Sequence, residues 1–135
     1  MATIRKEIHL DARPDDVWDA LRDFHAVHER LAPGFVVSSQ PDGDEVRVVT
    51  FANGAVAREV CVGVDDAARR LAYCIPELPG ATHHSASAEV VADGTGCRFV
   101  WITDVLPDGL RDLVEPMMSL GAEAIKATLE TGSRV

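Results

Sequence analysis

Six segments of period-two alternation follow one another in this chain, at about 35–40, 45–51, 55–64, 69–75, 82–92 and 96–106. The gaps hold turn chemistry: Pro41-Asp42-Gly43-Asp44, Asn53-Gly54, Asp65-Asp66 and Asp93-Gly94-Thr95-Gly96. Parallel pairing needs a crossover of roughly a dozen residues or more, so strands joined by such short gaps must run antiparallel to their neighbours. The centre of the chain is therefore an antiparallel meander. Residues 3–10 add a seventh strand, with Ile4, Ile8 and Leu10 on one face and Lys6 as a polar intruder among them.

Helical periodicity brackets the meander. In DARPDDVWDALRDF, Pro14 suits a first helical turn, and Asp15 and Asp16 suit its positive end. Val17, Trp18, Leu21 and Phe24 then recur at helical spacing. A second short helix at about 25–31 stops before Pro33-Gly34. A long helix is predicted at about 108–131, with Leu110, Leu113, Val114, Met117, Gly121, Ala124, Ile125 and Thr128 as its apolar stripe and Gly132 as its stop. The order predicts an α+β domain: a seven-stranded curved antiparallel sheet wrapped around a long C-terminal helix.

The 135 residues, 47% of them hydrophobic, suffice for one domain spanning 1–135 with a real core. The chain has no 18-residue apolar run, which argues against a membrane span. MATIRKEIHL alternates like a strand and lacks the apolar block of a signal peptide. Cys61, Cys74 and Cys97 are odd in number and far apart, which suggests small core residues in a reducing cytoplasm. A net charge of −9, with no basic stripe, argues against a nucleic-acid partner. A ligand is then expected to be neutral, or to have its charge met by a local group.

The segment His83–Val91 bears on function. Its alternation puts His84, Ala86, Ala88 and Val90 on one face. A close-packed interior favours larger side chains, so a face of alanines ending in a histidine suggests room for a small molecule with a polar group at one end.

Four pieces of sequence, IHLDARPDDVWDALRDF at 8–24, VRVVT at 46–50, REVCVGVDDAARRLAYCI at 58–75 and VW at 100–101, carry a family resemblance. With the element order, they make the chain resemble the START/Bet v 1-like (SRPBCC) superfamily of the helix-grip fold. Within it the chain looks like the bacterial polyketide cyclase/dehydrase-type proteins, and it is distantly similar to plant abscisic-acid receptors. The resemblance implies a deep, mostly apolar cavity between sheet and C-terminal helix. Functions in that superfamily run from carriers and receptors to aromatase/cyclases, so fold alone does not choose among them.

Candidate site residues follow from parity and resemblance together. Parity puts Ala57, Glu59, Cys61 and Gly63 inward and Arg58 outward, but Val60, Val62 and Val64 fill the other face, so the resemblance is what places Glu59 in the cavity. A carboxylate there either finds a cation or takes up a proton. Arg47, one hairpin strand away, is the expected partner. Such a pair can be purely structural, can touch a ligand, or can supply an acid or base. His84 stands where receptor-like relatives place a cavity tyrosine, and it can orient or protonate a carbonyl or merely mark the rim.

Val49 and Phe51 continue the Arg47 face. Tyr73, the only tyrosine, shares parity with Ile75, and Trp101, Thr103 and Val105 form the inward set of the last strand. Trp101 can wall the cavity or simply pack on the C-terminal helix. Of Met117 and Met118, Met117 fits the stripe, as core filler or as an adaptable wall. The pairs His25/His28 and His83/His84 carry no metal-site spacing, and no cofactor motif is present.

The leading expectation is a binding protein, a carrier or sensor for a small hydrophobic or aromatic ligand. The alternative is a cyclase/aromatase or dehydratase with Glu59 or His84 as acid–base catalyst. A third is a ligand-gated interaction module that moves the loop Glu77–Ala81. The outward Val60/Val62/Val64 run also offers a patch for a homodimer.

Overall fold

The structure, a computed structural model, describes residues 1–132. In chain order the elements are β1 (Ala2–Leu10), α1 (Pro14–Arg22), a 3-10 turn (Phe24–Ala26), a π-helical turn (Val27–Leu31), β2 (Val36–Pro41), β3 (Val46–Phe51), β4 (Val56–Asp65), β5 (Arg70–Cys74), β6 (His83–Asp93), β7 (Gly96–Leu106), a 3-10 turn (Asp108–Leu110) and α2 (Arg111–Gly132). The seven strands form one sheet in the order β1-β7-β6-β5-β4-β3-β2, and every pairing is antiparallel. The meander expected from the turn chemistry is β2 to β7 in sequence order, and β1 adds to its far side along β7.

The start of α1 follows from its first residues. Pro14 occupies the first turn, with Asp15 and Asp16 at the positive end of the helix. The Arg13 carbonyl accepts from the N–H groups of Asp16 and Val17, each at 3.1 Å. Val17, Trp18, Ala20 and Leu21 are buried. The β4–β5 turn is tied to this helix, because Trp18 Nε1 and Arg22 Nε both donate to Asp66 Oδ1, at 3.0 and 2.9 Å. The short helix expected at 25–31 is instead a 3-10 turn followed by a π turn. An isolated segment that short gains little from regular α-helical bonding, so packing sets its form.

Most of the stripe predicted on α2 faces inward, with Gly121 and Ile125 buried and Val114, Met117, Ala124 and Thr128 half-buried. The exception is Leu113, 54% exposed, and the buried face also takes in Met118, Ala122 and Leu129, which the stripe omits. Apolar residues occur on more than one face of this helix, so periodicity alone does not fix its rotation. Contacts on the β1 side do: Met118 packs in a cluster with Ala2, Ile4 and Val105, and Lys6, the intruder on β1, forms an ion pair with Glu115. The stop expected at Gly132 depends on its successor, which lies outside the described residues.

A second correction concerns β4. A bulge between Cys61 and Gly63 shifts the register, so that Cys61 opposes Tyr73 but Gly63 opposes Ala72 and Val64 opposes Leu71. One extra residue flips every later side chain to the other face. Gly63, expected inward, is therefore outside and exposed, and Val64 lies on the Leu71 face. The three valines do not alternate as one outward stripe, but Val62 and Val64 are exposed at 63% and 47%, so an apolar patch remains at this end of β4. All three cysteines are free thiols, with Cys97 buried and the other two half-buried.

Candidate functional site: a cavity under the C-terminal helix

The tight β3–β4 hairpin builds one wall. At its tip Asn53 Oδ1 accepts from the Ala55 N–H at 2.9 Å, and Gly54 takes φ +89°, a left-handed conformation that favours glycine. The resulting register places Arg47 directly opposite Glu59. Both side chains are buried. Arg47 Nε donates to Glu59 Oε1 at 2.8 Å, and Nη2 reaches the same oxygen at 2.8 Å. Nη1 donates to the Phe24 carbonyl at 2.8 Å, and the Phe24 ring lies 3.9 Å from the guanidinium carbon. All three nitrogens of Arg47 are thus engaged, and Phe24 covers one face of its plane.

Both contacts to Glu59 fall on Oε1. Among the described residues Oε2 takes no hydrogen bond. Among the described residues the fully buried polar side-chain atoms without a partner are His25 Nδ1, His28 Nδ1 and Ser39 Oγ. Oε2 is not one of them, so it keeps some exposure, and Glu59 lines the cavity.

The β5–β6–β7 face supplies the second wall. In register, Ala86 lies between Tyr73 and Thr103, and Ala88 between Leu71 and Trp101. The alternation read in the sequence holds, since Ala86, Ala88 and Val90 are buried and His84 is half-buried. Two rings on the strands flanking these alanines meet each other, Trp101 Nε1 donating to Tyr73 Oη at 3.1 Å, and Ala88 itself lines the cavity. Burial and the charge of Glu59 hold the Tyr73 phenol well above its usual range. Trp101 fills both roles expected of it, because it lines the cavity and also packs on α2. A Cβ on Gly121 would lie 2.9 Å from Trp101 Cζ3 and 3.0 Å from Phe35 Cε2. Glycine at 121 is what lets the helix approach these rings.

His84 ends the β5–β6 ladder with its side chain: Nδ1 accepts from the Ile75 N–H at 3.0 Å. Burial pushes its pKa down to about 4, so the ring is neutral near pH 7 and its proton sits on Nε2. The imidazole thus lines the cavity as a hydrogen-bond donor.

The cavity between sheet and α2 has a volume of about 310 Å³. Of the ten residues singled out in the sequence, nine line it: Arg47, Phe51, Glu59, Tyr73, Ile75, His84, Trp101, Thr103 and Met117. Val49 does not. It shares their face but is sealed in the core at 1% exposure, between the Ser39 and Ala57 positions of its neighbouring strands. Met118, set aside as the methionine facing away, also lines the cavity. Met117 stands beside the hairpin tip, with Asn53 Nδ2 3.7 Å from its sulfur.

Phe35, Leu21 and Leu31 are wall residues that sequence reasoning missed. Leu21 belongs to the apolar period of α1, which marks it as inward without saying that it meets a cavity, and Leu31 and Phe35 sit in the π turn and just before β2, where no period marks an inward side. Leu78 and Pro79, from the loop suspected as a lid, line the cavity as well. The histidines do not gather: His25 Nε2 lies 2.9 Å from the Asp44 carbonyl and His28 Nε2 lies 3.1 Å from Glu29. A second, larger depression between α1 and the end of β4 is an open surface trough with charged residues such as Asp19, Arg22 and Glu45 in its walls. It encloses less than the cavity does, and none of the ten residues reaches it.

The family model described as polyketide cyclase / dehydrase and lipid transport matches residues 1–132. The chain belongs to that family. Solved structures extend the likeness. The Bacillus cereus protein XoxI, at 20% identity, superimposes with a TM-score of 0.83 over 96% of each chain. A Thermobifida fusca protein, at 29% identity, gives 0.77 over 93% of this chain and 91% of its own. A START superfamily protein from Mycobacterium smegmatis, at 12% identity, gives 0.78 over 96% of this chain and 97% of its own. A comparison with curated proteins finds no match. The family assignment and the superposed START fold agree with the helix-grip architecture, and among the described residues no helix is long and apolar enough to cross a membrane.

Proposed function

We propose that this member of the polyketide cyclase/dehydrase and lipid transport family binds a small, largely apolar molecule in the cavity, as a carrier or sensor. The observation that carries the reading is a largely apolar cavity of about 310 Å³ holding an ion pair whose charges balance within the protein. Its volume lies at the lower end of small-molecule sites, which run from roughly 300 to 1,000 Å³. Native mass spectrometry of the purified protein, followed by a thermal-shift screen of sterols, flavonoids, fatty acids and aromatic polyketides, tests it. A co-purified small molecule or a saturable shift is expected. An empty protein that no compound class stabilises would overturn the reading.

A cyclase or dehydratase activity is the second reading, favoured by the presence of a carboxylate oxygen and a neutral imidazole in one enclosure. In that case the walls fold a flexible substrate into a reactive geometry, and Glu59 or His84 moves a proton. Turnover of a bound polyketide that survives Glu59→Gln and His84→Ala would remove these residues from that role.

A further inference from the structure

The charge arrangement in the cavity restricts its ligand beyond being apolar. Resting on the reading that the cavity holds a small molecule, we propose that the ligand is uncharged and presents a hydroxyl group to Glu59 Oε2, and that the cavity rejects carboxylates. Among the described residues Arg47 and Glu59 are the only charged ones in the cavity wall. The three nitrogens of Arg47 are taken by Glu59 Oε1 and the Phe24 carbonyl, and the Phe24 ring covers its face. The Arg47 charge is thus already balanced by Glu59, and among the described residues no second cation lines the cavity to meet an acid. What is left open is the second carboxylate oxygen of Glu59, an acceptor with no donor of the protein's own.

A hydroxyl brought to Oε2 makes a charge-assisted hydrogen bond and leaves the existing pair intact. A carboxylate brought to the same place sets two anions together in an apolar enclosure, where one must take up a proton or the ligand must leave. A purely apolar ligand avoids the repulsion but leaves Oε2 desolvated without a partner, which also weakens it.

A matched series tests this: a naphthol, the methylnaphthalene of the same substitution, and the corresponding naphthoate. Each is titrated at neutral pH into the intact protein, with the Trp101 indole N–H followed by NMR. The naphthol is expected to bind about tenfold or more tighter than the methyl compound, with the naphthoate weakest of the three. Glu59→Gln, checked for folding by circular dichroism, is expected to bring the naphthol and methyl affinities to within about threefold and to raise the relative affinity of the naphthoate. The wild-type ranking decides the matter even if that variant does not fold. Naphthoate binding as well as naphthol, or naphthol binding no better than the methyl compound, overturns the hydroxyl inference while leaving the cavity reading in place. Failure of all three to bind wild-type protein also overturns the hydroxyl inference, and the cavity reading falls with it only if the ligand screen is negative as well.

Discussion

His84 shows how one side chain can be both a structural end-stop and part of a site wall. Its Nδ1 closes the β5–β6 ladder at Ile75, a task only the unprotonated nitrogen can perform. Burial lowers its pKa from 6.5 to about 4, so the folded state disfavours the charged ring. The corresponding stability is fully present above pH 6.5, the unfolded value, and is lost as pH falls towards about 4. His84→Asn keeps an acceptor for Ile75 but cannot become charged. Urea titrations of both proteins should therefore show a stability difference that is constant above that window and moves in favour of the variant as pH falls through it. A difference independent of pH would mean that the histidine is solvated in the native state. The inward parity of His84 was legible from strand alternation. Its bond to Ile75 was not, since that depends on where β5 stops pairing.

Within the β3–β4 hairpin, turn chemistry and alternation together place Arg47 across from Glu59, and the sequence supports that much without coordinates. What the pair does is set by Phe24, from the turn after α1, which supplies both a carbonyl and a ring to the guanidinium. Long-range contacts of this kind leave no local pattern. Glu59→Leu strands the buried Arg47 charge and should cost about 3–5 kcal/mol in urea unfolding. The double change Arg47→Met with Glu59→Leu should recover most of that loss, because a buried pair replaced by apolar side chains is often neutral in stability. Equal losses in the single and double variants would show that the hairpin does not depend on the charge balance. The bulge in β4 is the opposite case. The only mark in CVGVDD is Gly63, since an isolated glycine in a strand favours a bulge, and strict alternation passes over it and puts Gly63 and Val64 on the wrong faces.

Across the molecule, the architecture followed from periodicity and turn residues, while the rotation of α2 and the contributions of Phe35, Leu78 and Pro79 required the assembled layers. The sheet and α2 are held apart over the cavity by the rings of Trp101 and Phe35 resting on Gly121, with Ala88 lining the wall beneath. Ala88→Leu would place added carbon in open space rather than in a packed core. It should abolish ligand binding in calorimetry and, by burying further apolar surface, leave the melting temperature unchanged or raised. A lowered melting temperature with binding retained would show that the space above Ala88 is not the ligand's. The alanine wall therefore sets stability and function against each other: selection for a more robust fold alone would let larger residues accumulate on β6 and erase the hollow. The emptiness persists only under a pressure separate from folding, so variants enriched purely for heat resistance should be the ones that lose their ligand first.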